Sequence, residues 1–212
     1  MNALLNTPKL HARNLAFGRG DWQLCRGWNQ AWQPGMHLLI GGDGAGKTSL
    51  LSLLAGALQP EHGSIHWEGA AAQDVFWSDP RQPPAGTVPK QRSELWVDSL
   101  RSAYPRWDES RWSSLAACWN LEEALHKPWL ALSAGTARKL RMAAALSSGA
   151  QRIMLDEPIA GLDKPSIQVL RAALQMAQVN AGAVPQWIFV AHYDDLQLAI
   201  WDSVLELEQL PV

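Results

Sequence analysis

An α/β fold built on a parallel sheet is what this sequence predicts, and three observations predict it. Gly41-Gly42-Asp43-Gly44-Ala45-Gly46-Lys47-Thr48 matches the G-x-x-x-x-G-K-[ST] pattern in full. The apolar run Met36-His37-Leu38-Leu39-Ile40 precedes it. Leu50, Leu51, Leu53, Leu54 and Leu58 follow at helical spacing, so strand, glycine loop and helix stand in order. A second apolar run, Arg152-Ile153-Met154-Leu155, delivers the adjacent carboxylates Asp156-Glu157. In open α/β sheets such a strand end is where ligands sit.

The remaining elements follow in chain order. Leu10 to Phe17 alternates as a strand, and residues 22–33 form a second, ending at Pro34-Gly35. Gln59 to Gly63 is a turn. Ser64 to Trp67 is a short strand closed by Glu68-Gly69, and Ala71 to Trp77 is a further strand. These early strands predict an antiparallel β subdomain. Three prolines and a glycine within 79–86 mark a loop. Residues 90–126 read as helical through Leu95, Leu100, Tyr104, Trp112, Leu115, Leu121 and Leu125, with Pro105 and Pro128 dividing or ending the helices. Residues 79–130 are thus a small helical insertion in a single domain spanning 1–212, whose α/β core is 1–78 and 131–212. A helix over Thr136–Leu146, the strand Ile153–Leu155 and a helix from Pro165 to about Gln178 come next. The strand Trp187–Val190, a short helix Leu196–Ile200 and a last strand Val204–Leu207 complete the chain.

Composition narrows the function. The 212 residues suffice for one α/β domain with a sizeable core. No run of about 18 apolar residues exists, so no spanning helix is predicted, and Met1 to Lys9 shows no secretory signal. Cys25 and Cys118 are the only cysteines and stand alone, against zinc and against a disulfide scaffold; a reducing cytoplasm fits them. The formal net charge of -2 predicts no basic face for nucleic acid, and Arg138, Lys139 and Arg141 read as a solvated helix face. Twelve tryptophans are unusual. Trp67, Trp77, Trp96, Trp107, Trp112, Trp119 and Trp129 crowd one stretch, and several are expected to line a partner-docking surface.

The glycine loop needs a polyphosphate. Backbone N–H groups of Gly41, Gly42, Asp43, Gly44, Ala45 and Gly46 can curl around it, and the helix N-terminus at Lys47, Thr48 and Ser49 adds its positive end. Lys47 reaches the β- and γ-phosphates and Thr48 places its hydroxyl on Mg²⁺. Asp156 holds the Mg²⁺ shell, and Glu157 acts as general base or orients the attacking water. His192, at another strand end, is placed to sense or stabilise the γ-phosphate and the developing charge, although alone it reads rather as a surface histidine in a turn. Ser133 and Gly135 stand before a helix N-terminus and make a second anion site. One chain has no use for two phosphate clamps. The second makes sense as a cap on the ATP of another copy, so that two copies facing head to tail enclose two ATPs.

In this order the motifs resemble the ATP-binding cassette (ABC) ATPase family across almost the whole chain. Gly41–Thr48 matches its Walker A, Leu132-Ser133-Ala134-Gly135-Thr136 resembles its LSGGQ signature, and Ile153–Glu157 matches its Walker B with the catalytic glutamate. Ala160-Gly161-Leu162-Asp163 resembles its D-loop, His192 its switch histidine, and Gly63 to Gly69 its hairpin. The resemblance implies a P-loop NTPase core and a dimer that closes on ATP and Mg²⁺ and opens on hydrolysis. It implies work on a separate integral membrane permease, at the cytoplasmic face of the membrane. Three departures stand out. Ala134 and Thr136 replace a signature glycine and glutamine. No glutamine occupies the Q-loop position, which leaves Asp79 or Gln82 as the residue on Mg²⁺ or its water. The adenine-stacking aromatic is uncertain among Phe17 and Trp22, with Arg19 also in reach.

The leading reading is therefore the ATP-hydrolysing subunit of an ABC transporter. A close variant is the haem-exporter ATPase of cytochrome c maturation, whose members are about this short and share Leu-Ser-Ala-Gly, although residues 75–90 differ from theirs. The contrasting readings are a soluble ABC ATPase acting on nucleic acid or ribosomes and a non-hydrolysing binding module.

Overall fold

A computed structural model describes residues 9–68, 74–88, 90–179, 184 and 186–212. β1 (Leu10–Arg19) and β2 (Trp22–Trp32) form an antiparallel hairpin with Arg19 opposite Trp22. β3 (Gly35–Ile40) leaves for a second sheet, whereas β4 (His62–Trp67) pairs with β1, giving a three-stranded sheet of order β2-β1-β4. The second sheet holds β5 (Val75–Phe76), β6 (Arg152–Asp156), β7 (Trp187–His192) and β8 (Ser203–Glu206) besides β3, in the order β5-β6-β7-β3-β8, with every pairing parallel. β6 and β7 are buried at every residue. Continuous apolar runs are what a parallel sheet covered on both faces requires.

The strand period of two sorts these residues onto two cores. Ile153, Leu155, Ile188 and Val190 face α3 (Glu109–Cys118), α5 (Ala134–Ser147) and α6 (Lys164–Val179). Met154, Trp187, Phe189 and Leu39 face α1 (Lys47–Leu54) and the antiparallel sheet. α2 (Ser93–Ala103) and α4 (Glu122–Leu125) supply the other helices of the segment expected to be helical, and Pro105 and Pro128 fall outside them. The register sets Ile40 beside His192 and Asp156 beside Ala191. The glycine loop, the paired carboxylates and the histidine therefore emerge along one edge.

Four expectations are corrected. Residues 196–200 form a turn, not a helix. Leu196 and Gln197 adopt φ of 56° and 54°, and their N–H groups are taken by the side chains of Asp194 and Asp195. The apolar spacing there serves burial of Leu196, Leu198 and Ile200. The strand expected over Ala71–Trp77 is Val75–Phe76 alone among the described residues; Ala71 to Gln73, and Gly69 of the hairpin, lie outside them. None of the seven clustered tryptophans is exposed. Trp96, Trp112, Trp119 and Trp129 are buried and Trp67, Trp77 and Trp107 half-buried. They pack on one another, as in the edge-to-face pair Trp96–Trp129 at 5.0 Å, and Trp119 Nε1 donates to Ser166 O across to α6. Indoles pair well in this geometry and bring large area to a thin helical layer. The exposed apolar side chains of this region are instead Val88, Leu95 and Leu130. Finally, Arg141 is 5 % exposed and not part of a solvated face.

Cys25 is buried on β2, where burial pushes its thiol pKa up, while Cys118 lies exposed at the end of α3. No helix among the described residues is long and apolar enough to cross a membrane.

Candidate active site

A cavity of about 400 Å³ opens over the glycine loop. Gly42, Asp43, Gly44 and Gly46 form its floor, with Lys47, Thr48 and Ser49 from the first turn of α1. Gly46, at φ 97°, is the residue from which the helix starts; a Cβ there would lie 2.8 Å from the Trp22 ring, so only glycine fits. Gly41 and Ala45 pack behind the floor, in contact distance of one another.

Lys47 is 7 % exposed and fully engaged. Its Nζ donates to Gly41 O at 2.6 Å and Gly42 O at 2.9 Å and lies 3.1 Å from Glu157 Oε1. Thr48 Oγ1 donates to Asp156 Oδ2 at 2.6 Å, across 108 residues of sequence. The other carboxylate oxygen, Oδ1, is buried without a hydrogen-bond partner. Burial pushes the Asp156 carboxyl pKa up, and the Thr48 hydrogen bond and the Arg81 charge pull against it. An orphaned anionic oxygen beside a hydroxyl over a phosphate cradle fits Mg²⁺, which usually takes one or two protein ligands and fills its shell with water and phosphate. Among the described residues no cluster of three His, Cys, Asp or Glu could hold a metal without such help.

Glu157 adopts φ 45°, a left-handed conformation uncommon for glutamate, and its N–H is anchored on Ala191 O at 2.9 Å. Strain of this kind is retained where surrounding structure dictates it, often at functional sites. His192 is 1 % exposed, with Nε2 3.6 Å from Glu157 Oε2. Its Nδ1 lies 2.9 Å from Asp194 Oδ1 and 3.2 Å from the Asp194 N–H. The Asp194 contacts fix the ring and leave Nε2 facing Glu157.

The hairpin end of β1 and β2 supplies the other wall. Arg19 and Trp22 line the cavity. Phe17 is a correction: it is 6 % exposed, packs in the core beneath the antiparallel sheet, and does not line the cavity. Of the two metal candidates after β5, Asp79 is held by an arginine and Gln82 does not line the cavity. Arg81 binds Asp79 in a fork, Nε to Oδ1 at 2.9 Å and Nη2 to Oδ2 at 2.6 Å, which holds the Asp79 carboxyl below the usual carboxylate range. Gln82 lines a different cavity, against Leu130 and Arg138. The residue of this loop that lines the nucleotide cavity is Arg81.

Ser133 and Gly135 do not line this cavity. Ser133 is exposed and caps α5, its Oγ accepting from Thr136 N–H at 3.1 Å. Gly135 sits where a Cβ would be 2.7 Å from Gly161 O, so the start of α5 presses on the Ala160–Asp163 turn.

Three residues escaped the sequence reading. Arg81 is one. Arg141 is another: it donates to Ser78 Oγ and Pro80 O, both at 3.1 Å, and to Gln82 O, and lies 5.0 Å from the Trp129 ring centroid. Burial lowers its pKa to about 10. Its spacing of four from buried Ala137 was the available signal. Glu208 is the third; the β3–β8 register, with Ile40 beside Glu206, carries it to Gly42, whose N–H it accepts at 2.7 Å. No local signal marks it.

Comparison with known proteins agrees with this geometry. The family model described as "ABC transporter" matches residues 30–160. The chain is 32% identical over 216 residues to the cytochrome c biogenesis ATP-binding export protein CcmA of Aromatoleum aromaticum, covering 97% of this chain and 98% of that protein. It is 31% identical over 194 residues to CcmA of Pasteurella multocida, covering 88% and 89%. Among solved structures, cbiO1 from Clostridium perfringens, part of the ABC transporter complex cbiONQ, superposes with a TM-score of 0.60 at 21% identity, over 87% of this chain and 78% of that one. A bacterial Atm1-family ABC exporter with ATP bound superposes with a TM-score of 0.74 at 16% identity, over 99% of this chain and 39% of that one. Its motifs, its sheet order and these relatives place this chain in the ABC transporter family, as one of its ATP-binding ATPase subunits.

Proposed function

We propose that this subunit powers an export complex of the cytochrome c biogenesis type, working as a dimer on separate membrane subunits at the cytoplasmic face. The observation that carries this reading is the near end-to-end match with a CcmA, 97% of one chain against 98% of the other. A cassette with no spanning helix among its described residues needs a membrane partner to move anything across a bilayer.

The residues suggest how hydrolysis runs. Lys47 holds Glu157 and two loop carbonyls. A triphosphate in the cradle competes for that ammonium, and Glu157 is released to accept a proton from water in line with the terminal phosphate. His192 Nε2, aimed at Glu157, is placed to steady the carboxylate or the leaving charge. Thr48 and Asp156 would hold Mg²⁺, which would neutralise charge on the phosphate oxygens. Arg19 and Trp22 offer the base a cation and an aromatic face. Ser133 and Gly135 of a second copy close the site over the terminal phosphate.

Steady-state hydrolysis tests the core of the proposal. Wild type turns ATP over, whereas Glu157→Gln binds ATP, dimerises and stalls; equal rates would remove Glu157 from the mechanism. Lys47→Ala loses ATP affinity, and unchanged binding would contradict the cradle. Co-purification from membranes tests the partner: an integral membrane protein retained with Glu157→Gln supports the export role, and none retained with either protein speaks against it.

A further inference from the structure

The loop after β5, in which the family resemblance calls for an amide, carries a basic residue at Arg81. Arg81 lines the nucleotide cavity together with Lys47, Thr48 and Glu157, close enough for its charge to act on Asp156. Its side chain is 67% exposed, and among the described residues only Asp79 holds its head, across two residues. The backbone that bears it is clamped on both sides. Buried Arg141 bonds Ser78 and Pro80 before it and Gln82 after it, and Trp129 backs the clamp. An exposed guanidinium on a fixed base, held by a carboxylate at the rim of an anion cradle, is a device for trading one anion for another. Guanidinium binds phosphate oxygens in the same fork in which it binds carboxylate.

We propose that Arg81 leaves Asp79 to bind the terminal phosphate of the ATP in its own chain, as a catalytic residue that tells triphosphate from diphosphate. The inference rests on the ATPase reading and deepens it at the same site. Because Arg141 belongs to α5 and Trp129 to the helical segment, phosphate held by Arg81 is also felt by both through the clamped loop.

The test is nucleotide binding, read by calorimetry with ATP and with ADP in the presence of Mg²⁺, beside hydrolysis rates. Arg81→Ala is expected to weaken ATP binding about tenfold, the size of one charge-assisted hydrogen bond, while ADP binding stays within twofold and kcat falls at least as far. Arg81→Lys recovers part of the loss, as a point charge without the fork. Asp79→Asn, which frees Arg81, keeps ATP affinity at or above wild type. An ATP-to-ADP affinity ratio unchanged in Arg81→Ala overturns the proposal. So does loss of Mg²⁺-dependent ATP binding in Asp79→Asn with Arg81→Ala intact, which would return the metal role to Asp79. Lys47→Ala separates the two levels: if it and wild type both fail to bind either nucleotide, the ATPase reading falls and this inference with it.

Discussion

Asp156 meets two opposed demands. It is 5 % exposed, and one oxygen has no partner. Its carboxyl is pushed above the ordinary range by burial, so the folded chain binds that proton more tightly than the unfolded one. The cost to stability is absent below the ordinary Asp range and complete above the raised value, so it is fully present at neutral pH. Asp156→Asn is therefore expected to raise the melting temperature of the nucleotide-free protein at pH 7 while abolishing hydrolysis. The gain should shrink as pH falls toward about 4. A thermal scan showing no gain at pH 7 would contradict the burial argument. At this scale, legibility depended on sequence distance. Lys47, Thr48, Asp156 and Glu157 announce themselves because each lies in a short motif fixed by backbone geometry. Glu208 and Arg141 do not, since their partners are 166 and about 60 residues away. Phe17 misled because strand alternation there marks burial as readily as a binding face.

Among the elements, α5 carries the most constraints. Ser133 caps it, Gly135 touches Gly161 O, and Arg141 reaches back to the loop after β5. Gly135→Ala pushes a methyl group against a backbone carbonyl that cannot retreat without moving the Ala160–Asp163 turn. A loss of about 1–3 kcal/mol in unfolding free energy is expected, the usual cost of overpacking, measured by urea titration; no loss would mean the turn is free to shift. Helices and strands were legible wherever an apolar period ran unbroken, as in β6, β7 and α6. The misread segment, 196–200, has such a period too. Asp194 and Asp195 divert the backbone there by capping the next N–H groups, a competition that periodicity cannot show.

For the whole molecule, the distance of Ser133 from its own cradle becomes a prediction. Lys47→Ala and Ser133→Arg are each expected to be inactive alone. Mixed, they form pairs in which one composite site has an intact lysine and an intact serine, and hydrolysis returns. No recovery at any mixing ratio would mean that each cradle works without a cap from another copy. The expectation of two copies was readable as a surplus phosphate clamp. The position of the tryptophans was not, because an indole count is the same whether rings pair inward or face a partner.

The two thiols give a practical handle on that pairing. Cys25 is sealed within the β1–β2 sheet and Cys118 stands in solvent. A maleimide dye should attach to the unaltered chain at a single position on α3, remote in sequence from every cradle residue. Energy transfer between one donor-labelled and one acceptor-labelled copy would then follow association and separation in real time, with no engineered cysteine.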